Sequence, residues 1–588
     1  MTTLDELLGE LDAAGLIRQV RHDPDATYQF RHVLTQEAAY SSLLKQDRRR
    51  LHLLVGEALE REYANRLDEV APILARHFDE AEDEARALDY HTRAGDAATA
   101  RFANTEAAMH YRRAMAYAKR GHTTAERLID LHLRYGRVLE ISGHYAEALA
   151  TYIEMEMLAQ ERDDKRMLLA ALMARATIHA APTVLNNSVE ADSLAQRALL
   201  LASELNDRAA ESKALWLRMM AHRFTEYDAA IVFGEQSAQI ARELGLHEPL
   251  AYALNDIFTS YLLSGQANKG LAALEEAEQL WRKLDNPNML ADSLIGAGEM
   301  LYFMGRIEAG AAKIQEALQL SERTSNYWGQ SYARWMLGEM LLEHADYAGA
   351  IATLHESMRL GAQAGFAISQ IATHGHLALA YTELGAYDRG ADEARKAIEM
   401  ANTLKPEWQG LGHAVLALCQ FYAGQRAEAH ETLSLATQYA SFFDLSIIVI
   451  ENVKAEMGLA DKKYVEVERN IREAFNMIRN YEMLIFEPYA RYCLGMVLLK
   501  MGRADEAHVE FASTLALMNQ LGMRRQIWRV QLAQAACDSL LGNDAEAAAL
   551  RAAASTEVEA VAAELPTDLR TSFLRRIEAM KRDIGSAE

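Results

Sequence analysis

Ala, Leu, Glu, Arg and Met, all good helix formers, dominate the chain, and runs of Val, Ile and Thr at period two are scarce. This pattern predicts helix throughout, with almost no sheet beyond the N-terminal segment. There, residues 3–17 (TLDELLGELDAAGLI) read as an amphipathic helix ending at Gly15. Two short alternating stretches follow, 17–20 and 27–30, and predict strands around a turn at 23–26. Thr35 is then expected to cap a long helix, with Glu37 in its first turn. The most apolar run, LSIIVI at 445–450, is far shorter than the roughly 18 residues that span a bilayer and reads as a buried helix face.

A second pattern lies over the first. The segments SGQANKGLAALEEA, MGRIEAGAAKIQEA, HADYAGAIATLHES, LGAYDRGADEARKA and AGQRAEAHETLSLA align on Gly265, Gly305, Ala345, Gly385 and Gly424, in steps of 40, 40, 40 and 39. Five positions on, each has a small residue: Gly270, Gly310, Ala350, Gly390 and Ala429. Seven positions before stand Gly298, Gly338, Ala378 and Ala417, with Phe258 the exception. Gly136, Gly143 and Ala148 repeat these offsets upstream, and Gly495, Gly502 and Ala507 downstream. Small residues 12 apart across a turn predict two antiparallel helices whose backbones cross closely. The Gly between them suits a positive φ.

In WMLGEMLLEHADYAGAIATL (335–354) and YCLGMVLLKMGRADEAHVEF (492–511) the chain resembles the tetratricopeptide repeat, over about residues 85 to 550 in about twelve units. The step is near 40 rather than that family's 34, which predicts longer helices. The resemblance implies an all-α, right-handed helical solenoid with a concave groove that binds peptides, helices or small effectors. Counting back about 3, 6, 10 and 13 positions from each turn gives the side chains expected to face that groove. Tyr252, Asn255, Tyr302, Tyr332 and Trp335, from three consecutive units, then form a candidate site; the alternative is that they pack between the helices as core. The same count reaches Asp292, Glu299 and Glu339.

The opening segment has the order helix, wing, helix, which is the back half of a winged helix. Phe30, Arg31, His32, Leu34, Glu37, Ala38 and Tyr40, with residues 48–98 beyond them, resemble the junction in large bacterial regulatory ATPases of the signal-transduction (STAND) type. In these a nucleotide-binding module is followed by a winged helix and a repeat array, and some are fused to class III cyclases, kinases or DNA-binding output domains. Residues 564–579 resemble the tail of such arrays. The resemblance implies that the chain is the C-terminal arm of a regulatory ATPase without its nucleotide module, since no GxxxxGK[ST] occurs. It also implies a junction or nucleotide-sensing role for Arg31 and His32. The expected limits are a partial winged helix and junction at 1–47, linking helices at 48–84, the array at 85–550 and capping helices at 551–588.

Composition adds exclusions. With 61 basic and 84 acidic residues the formal charge is −23, which disfavours a broad nucleic-acid surface. The first helix, 4–14, carries Asp5, Glu6, Glu10 and Asp12 and no Lys or Arg, so it is a poor DNA reader. Cys419, Cys493 and Cys537 form no CxxC pair and suit a reducing compartment. The acidic N-terminus lacks a signal peptide's form, so the expected location is the cytoplasm. No HExxH, GxSxG or GxGxxG occurs, and His374 and His376 sit on different sides of a helix. No catalytic residue, metal site or cofactor is assigned. The expected function is that of a non-catalytic module that binds a protein, peptide or small effector and passes this to an output, including a separate ATPase or cyclase chain. A plain scaffold is the alternative. A third reading, an enzyme, finds no motif.

Overall fold

The computed structural model describes residues 4–21, 27–101, 103–121, 123–181, 183, 185–404, 408–440 and 446–585. The expected turn at 23–26 and Leu445 lie outside the described residues. Helices make up nearly all of the described chain, in a repeat solenoid. It divides into two compact units, Met1–Asn186 and Asn187–Glu588.

The first unit opens with the helix Leu4–Ala13, closed by Gly15 at φ 72°, and an antiparallel hairpin of Ile17–Arg21 and Thr27–Phe30 in which Ile17 pairs with Phe30. The single long helix expected from Thr35 is two helices, Val33–Ser42 and Lys45–Glu62. Leu43 and Leu44 are extended between them, and the hydroxyls of Ser41 and Ser42 donate to the carbonyls of Ala38 and Ala39, competing with the helix ladder. His32, not Thr35, holds the cap position, without a capping side-chain bond. Four consecutive helices then carry a histidine ladder. His52 Nδ1 lies 3.0 Å from His77 Nδ1, and His91 Nδ1 lies 2.9 Å from His110 Nδ1. The helices are Lys45–Glu62, Leu67–Glu80, Glu84–Ala100 and Asn104–Ala118.

In the second unit each repeat resolves into two helices of equal length and two tight turns, as in His247–Leu263, Ala267–Lys283, Pro287–Phe303, Ile307–Arg323 and Tyr327–Glu343. Each turn contains one left-handed residue: Gly265, Asp285, Gly305, Ser325, Ala345, Gly365 and Gly385 follow one another at a constant spacing, half the repeat step. The expected close crossing is present. A Cβ on Gly310 would lie 2.6 Å from the carbonyl oxygen of Gly298, and one on Gly390 would lie 3.0 Å from that of Ala378. The space over a first-helix glycine is filled by a side chain of the helix that follows: Ile314 over Gly298, Leu354 over Gly338 and Phe511 over Gly495, and in the first unit Tyr111 over Gly95 and Tyr152 over Gly136.

The second unit is not an open arc. Its later helices return onto the turns of the earlier ones. A Cβ on Gly265 would lie 2.2 Å from the carbonyl oxygen of Asn480, one on Gly385 would lie 2.6 Å from that of Ser572, and one on Gly305 would lie 2.7 Å from Leu521 Cδ2. Asn268 Nδ2 donates to Glu482 at 3.1 Å. One apolar core joins buried residues from 219–340 to buried residues from 448–537. A second joins Leu342, Tyr347, Leu377 and Leu384 to Trp528, Leu569 and Phe573.

A buried clasp fixes this return. Arg525 reaches Glu343 Oε1 through Nη1 at 2.8 Å and Glu383 Oε1 through Nη2 at 2.8 Å. The backbone amides of Arg524 and Arg525 donate to the Glu343 carbonyl at 2.6 and 2.9 Å. Tyr489 donates to Glu343 at 2.6 Å, and Tyr347 and Gln526 donate to Glu383 at 2.9 and 2.6 Å. Arg576 donates to the backbone carbonyls of Thr382 and Glu383. Beside it Arg529 pairs with Glu456 at 2.7 Å, and Tyr422 donates to the same carboxylate.

Arg525→Ala strands two buried carboxylates and is expected to lower stability by ~3–5 kcal/mol, whereas adding Glu343→Gln and Glu383→Gln restores much of it. Urea unfolding read by tryptophan fluorescence checks this, since all six tryptophans lie beyond residue 186. In the first unit, burial holds the His52, His77 and His110 pKa values below the ordinary 6.5, and in each pair the facing histidine adds to the effect on His77 and His110. The native state therefore binds fewer protons than the unfolded chain in mild acid, so stability falls as pH drops through about 6.5. Circular-dichroism melts between pH 7.5 and pH 5 are expected to show a tryptophan-silent transition moving down with acid, and His52→Gln with His110→Gln is expected to flatten that slope.

Candidate ligand site inside the second unit

The sequence places rows of first-helix positions, one side chain per repeat, on the inner face of this unit. Tyr252, Asp292 and Tyr332 occupy one such row, Glu299 and Glu339 a second, Trp216, Asp256 and His376 a third, and Arg223, Glu343 and Glu383 a fourth. The helices Arg208–His222, His247–Leu263, Pro287–Phe303, Tyr327–Glu343 and Ala367–Glu383 present them, with Arg223 as C-cap of the first. Equal spacing along the repeat turns into adjacency across it.

The polar contacts run in two strings. Trp216 Nε1 donates to Asp256 Oδ2 at 2.8 Å; Asn255 Nδ2 donates to Asp256 at 3.2 Å and to Asp292 at 2.8 Å; Ser293 Oγ donates to Asn255 Oδ1 at 2.5 Å. In the second string Tyr332 donates to Glu299 at 2.6 Å, Trp335 donates to Glu339 at 2.7 Å, and His376 Nε2 lies 2.7 Å from the same Glu339 oxygen. The Tyr332 and Trp335 rings stack at 5.4 Å, and Trp328 and Phe366 flank Tyr332. Tyr252 packs edge-on to Trp281 at 5.0 Å and beside Trp216 at 6.2 Å.

Of the five groove candidates, the structure brings Tyr252, Asn255, Tyr332 and Trp335 to this region. Tyr252, Tyr332 and Trp335 are half-buried, and Asn255 is 2% exposed. Tyr302 is 4% exposed, lies in the apolar core against Phe303 and faces the clasp carboxylate Glu343. Arg31 and His32 belong to the other unit. Arg31 Nε donates to the Ile17 carbonyl at 3.1 Å, its amide donates to the Leu16 carbonyl at 3.0 Å, and its guanidinium lies 3.5 Å from Asp12; His32 is exposed at its helix cap. The positional count missed Trp216, Arg223, Asp256 and His376. A charge or indole on a repeat row that is elsewhere apolar was the available signal.

The electrostatics differ sharply from those of the clasp. Among the described residues Asp256, Asp292, Glu299 and Arg223 make no ion pair. Burial pushes the Asp292 carboxyl up to about 6, Glu299 up to about 7 and Asp256 upward as well. Burial also lowers the Arg223 pKa, with Asp256 and Asp292 acting against that fall. Arg223 Nε has no partner, and its one hydrogen bond, from Nη1, goes to the Met220 sulfur at 3.3 Å. Asp256, Asp292, Glu299 and Arg223 are nonetheless half-buried rather than fully enclosed. Among the described residues no three His, Cys, Asp or Glu side chains converge as a metal set.

No family profile matches this sequence, and no curated protein matches it. Solved structures do resemble it. A STAND protein with a tetratricopeptide-repeat sensor from Pyrococcus horikoshii superposes with a TM-score of 0.42 at 14% identity, over 74% of this chain and 58% of that one. This chain thus spans less than two thirds of that protein's length. A Rap protein complexed with competence and sporulation factor gives 0.44 at 12%, over 68% and 99%. The Cut9–Hcn1 hetero-tetramer of the APC/C gives 0.48 at 13%, over 85% and 96%. At these scores the likeness is one of general architecture.

The unpaired carboxylates yield a prediction. Glu299, raised above its unfolded value near 4.5, favours the native state in acid, and that contribution is lost as pH climbs through about 7. Glu299→Gln is expected to raise the stability of the second unit at pH 8 by ~1–3 kcal/mol and to change it little at pH 5. Tryptophan-monitored urea midpoints at the two pH values check it.

Proposed function

We propose that this chain is a non-catalytic sensor and protein-interaction module: an effector occupies the interior of the second unit, and the state of that unit is passed to a protein partner, such as a separate ATPase or cyclase chain. The observation that carries the reading is the contrast in charge pairing. Glu343, Glu383 and Glu456 all find arginines, while among the described residues Asp256, Asp292 and Glu299 form no ion pair with a basic group and Arg223 none with an acidic one. Buried charge without a partner is costly and concentrates at functional sites. A bound molecule that supplies the missing partners accounts for its presence.

A second reading, a plain scaffold, is supported by the N-terminal segment. Among the described residues up to 62 only Ile17 and Gly56 are buried, while Leu4, Val33, Leu34 and Leu44 are exposed by 71, 63, 70 and 73%. Such a face suits a protein partner. No helix of the described residues is long and apolar enough to cross a membrane.

Native mass spectrometry of the freshly purified chain separates the two. The sensor reading expects a retained small molecule that Tyr332→Ala with Trp335→Ala releases. A bare chain of the same mass in both forms contradicts it and leaves the scaffold.

A further inference from the structure

We propose that the second unit's interior binds a short amine bearing an anionic group, of the kind a basic amino acid presents: its ammonium lies between Asp292 and Glu299, and its anion meets Arg223. The proposal rests on the sensor reading above and names its ligand class.

The donor and acceptor tally selects this chemistry. An ionised carboxylate offers about four acceptor sites. Asp292 receives one hydrogen bond, from Asn255, and Glu299 receives one, from Tyr332. Asp256 receives two and Glu339 is matched by His376. The interior is therefore rich in acceptors and short of donors, and a primary ammonium brings three. Asp256 and Asp292 lie near Arg223, and Glu299 lies near Asp292, so carboxyl groups outnumber the guanidinium and a cation balances the excess. A neutral polyol satisfies hydrogen bonds and leaves the charge standing.

Arg223 makes the ligand more than a plain cation. A guanidinium has five N–H donors in a fixed fork suited to carboxylates. Here Nε is unpartnered and only the Met220 sulfur accepts. Asp256 and Asp292 influence its charge without pairing with it. An arginine near two acids and bonded to neither, its guanidinium 4.5 Å from the Phe224 ring, is placed to accept an anion from elsewhere. The stacked Tyr332 and Trp335 rings beside Glu299 and Glu339 add faces for a cation. The charge of −23 over the whole chain favours the approach of cations.

The test is calorimetric titration and tryptophan-monitored melting of the full chain with L-lysine, L-arginine, cadaverine and trilysine. Saturable binding of L-lysine or L-arginine at low millimolar concentration or tighter, with a raised melting temperature, is expected. Asp292→Asn and Glu299→Gln are each expected to weaken it about tenfold or more. Both are isosteric and remove unpaired charge, so the unliganded melting temperature is expected to hold or rise, which excludes unfolding as the cause. Arg223→Gln is expected to bring L-lysine down to the affinity of cadaverine, which lacks the carboxylate, while leaving cadaverine unchanged. L-lysine without trilysine marks a free metabolite, and trilysine without L-lysine marks a peptide; either supports the chemistry. Silence from all four, or binding indifferent to Asp292 and Glu299, overturns it. If native mass spectrometry then retains a neutral or anionic molecule, only the ligand class fails. If the chain is bare, the sensor reading fails with it.

Discussion

The second unit depends on one arginine. Arg525 bridges Glu343 and Glu383, which hold equivalent positions in adjacent repeats, and it is separated from them in sequence by 182 and 142 residues. A solenoid is ordinarily quasi-one-dimensional, each repeat touching only its neighbours. Here the bridge, the backbone bonds to the Glu343 carbonyl and the shared cores bind early repeats to late ones. The unit is thereby expected to unfold as one body rather than from its ends. Buried ion pairs succeed only when every remaining polar atom is satisfied, and the tyrosines Tyr347 and Tyr489, with Gln526, complete the shells of both carboxylates.

Glu339 and Glu343 stand about one helical turn apart on one helix face, and Glu299 holds the position equivalent to Glu339 in the preceding repeat. The same rows of the repeat therefore furnish carboxylates to two regions. Toward the clasp they are paired and structural. Toward Asp292, Glu299 has no ion-pair partner among the described residues, while Glu339 meets His376 at 2.7 Å. This difference separates a fixed frame from the candidate site in a molecule whose acidic residues are otherwise too numerous to be informative. The proposed ligand and the frame would share a single helix, Tyr327–Glu343, which carries Tyr332, Trp335, Glu339 and Glu343 together.

The repeat step, the close crossing of paired helices and the positive φ at Gly265, Gly305 and Gly385 were legible because small residues mark them in the sequence. The intervening left-handed turns were not, because Asp285 and Ser325 occupy them in place of Gly. Nor was the second duty of three turn glycines. Gly143, Gly424 and Gly502 face open space, while Gly265, Gly305 and Gly385 touch a later layer of the chain, and nothing local distinguishes the two groups. For the same reason Tyr302 was indistinguishable from Tyr332. Both sit on an inner-facing count, but the returning helices cover one and leave the other partly open. The long helix expected from Thr35 failed for a local reason, the back-bonding serines before Leu43.

The return of the late helices onto the early turns is the central claim, and a cross-link tests it most directly. Asn268 and Glu482 touch across 214 residues of sequence. Their replacement by cysteine, with a short bismaleimide added to the dilute native chain, is expected to give an intramolecular loop seen as faster migration and a joined peptide pair after digestion. The native cysteines are buried and their thiols pushed up to about 11 for Cys419 and Cys537 and about 12 for Cys493, so they are expected to stay silent. A double-cysteine chain that labels fully at both positions yet never joins them would contradict the closed unit and the interior site with it.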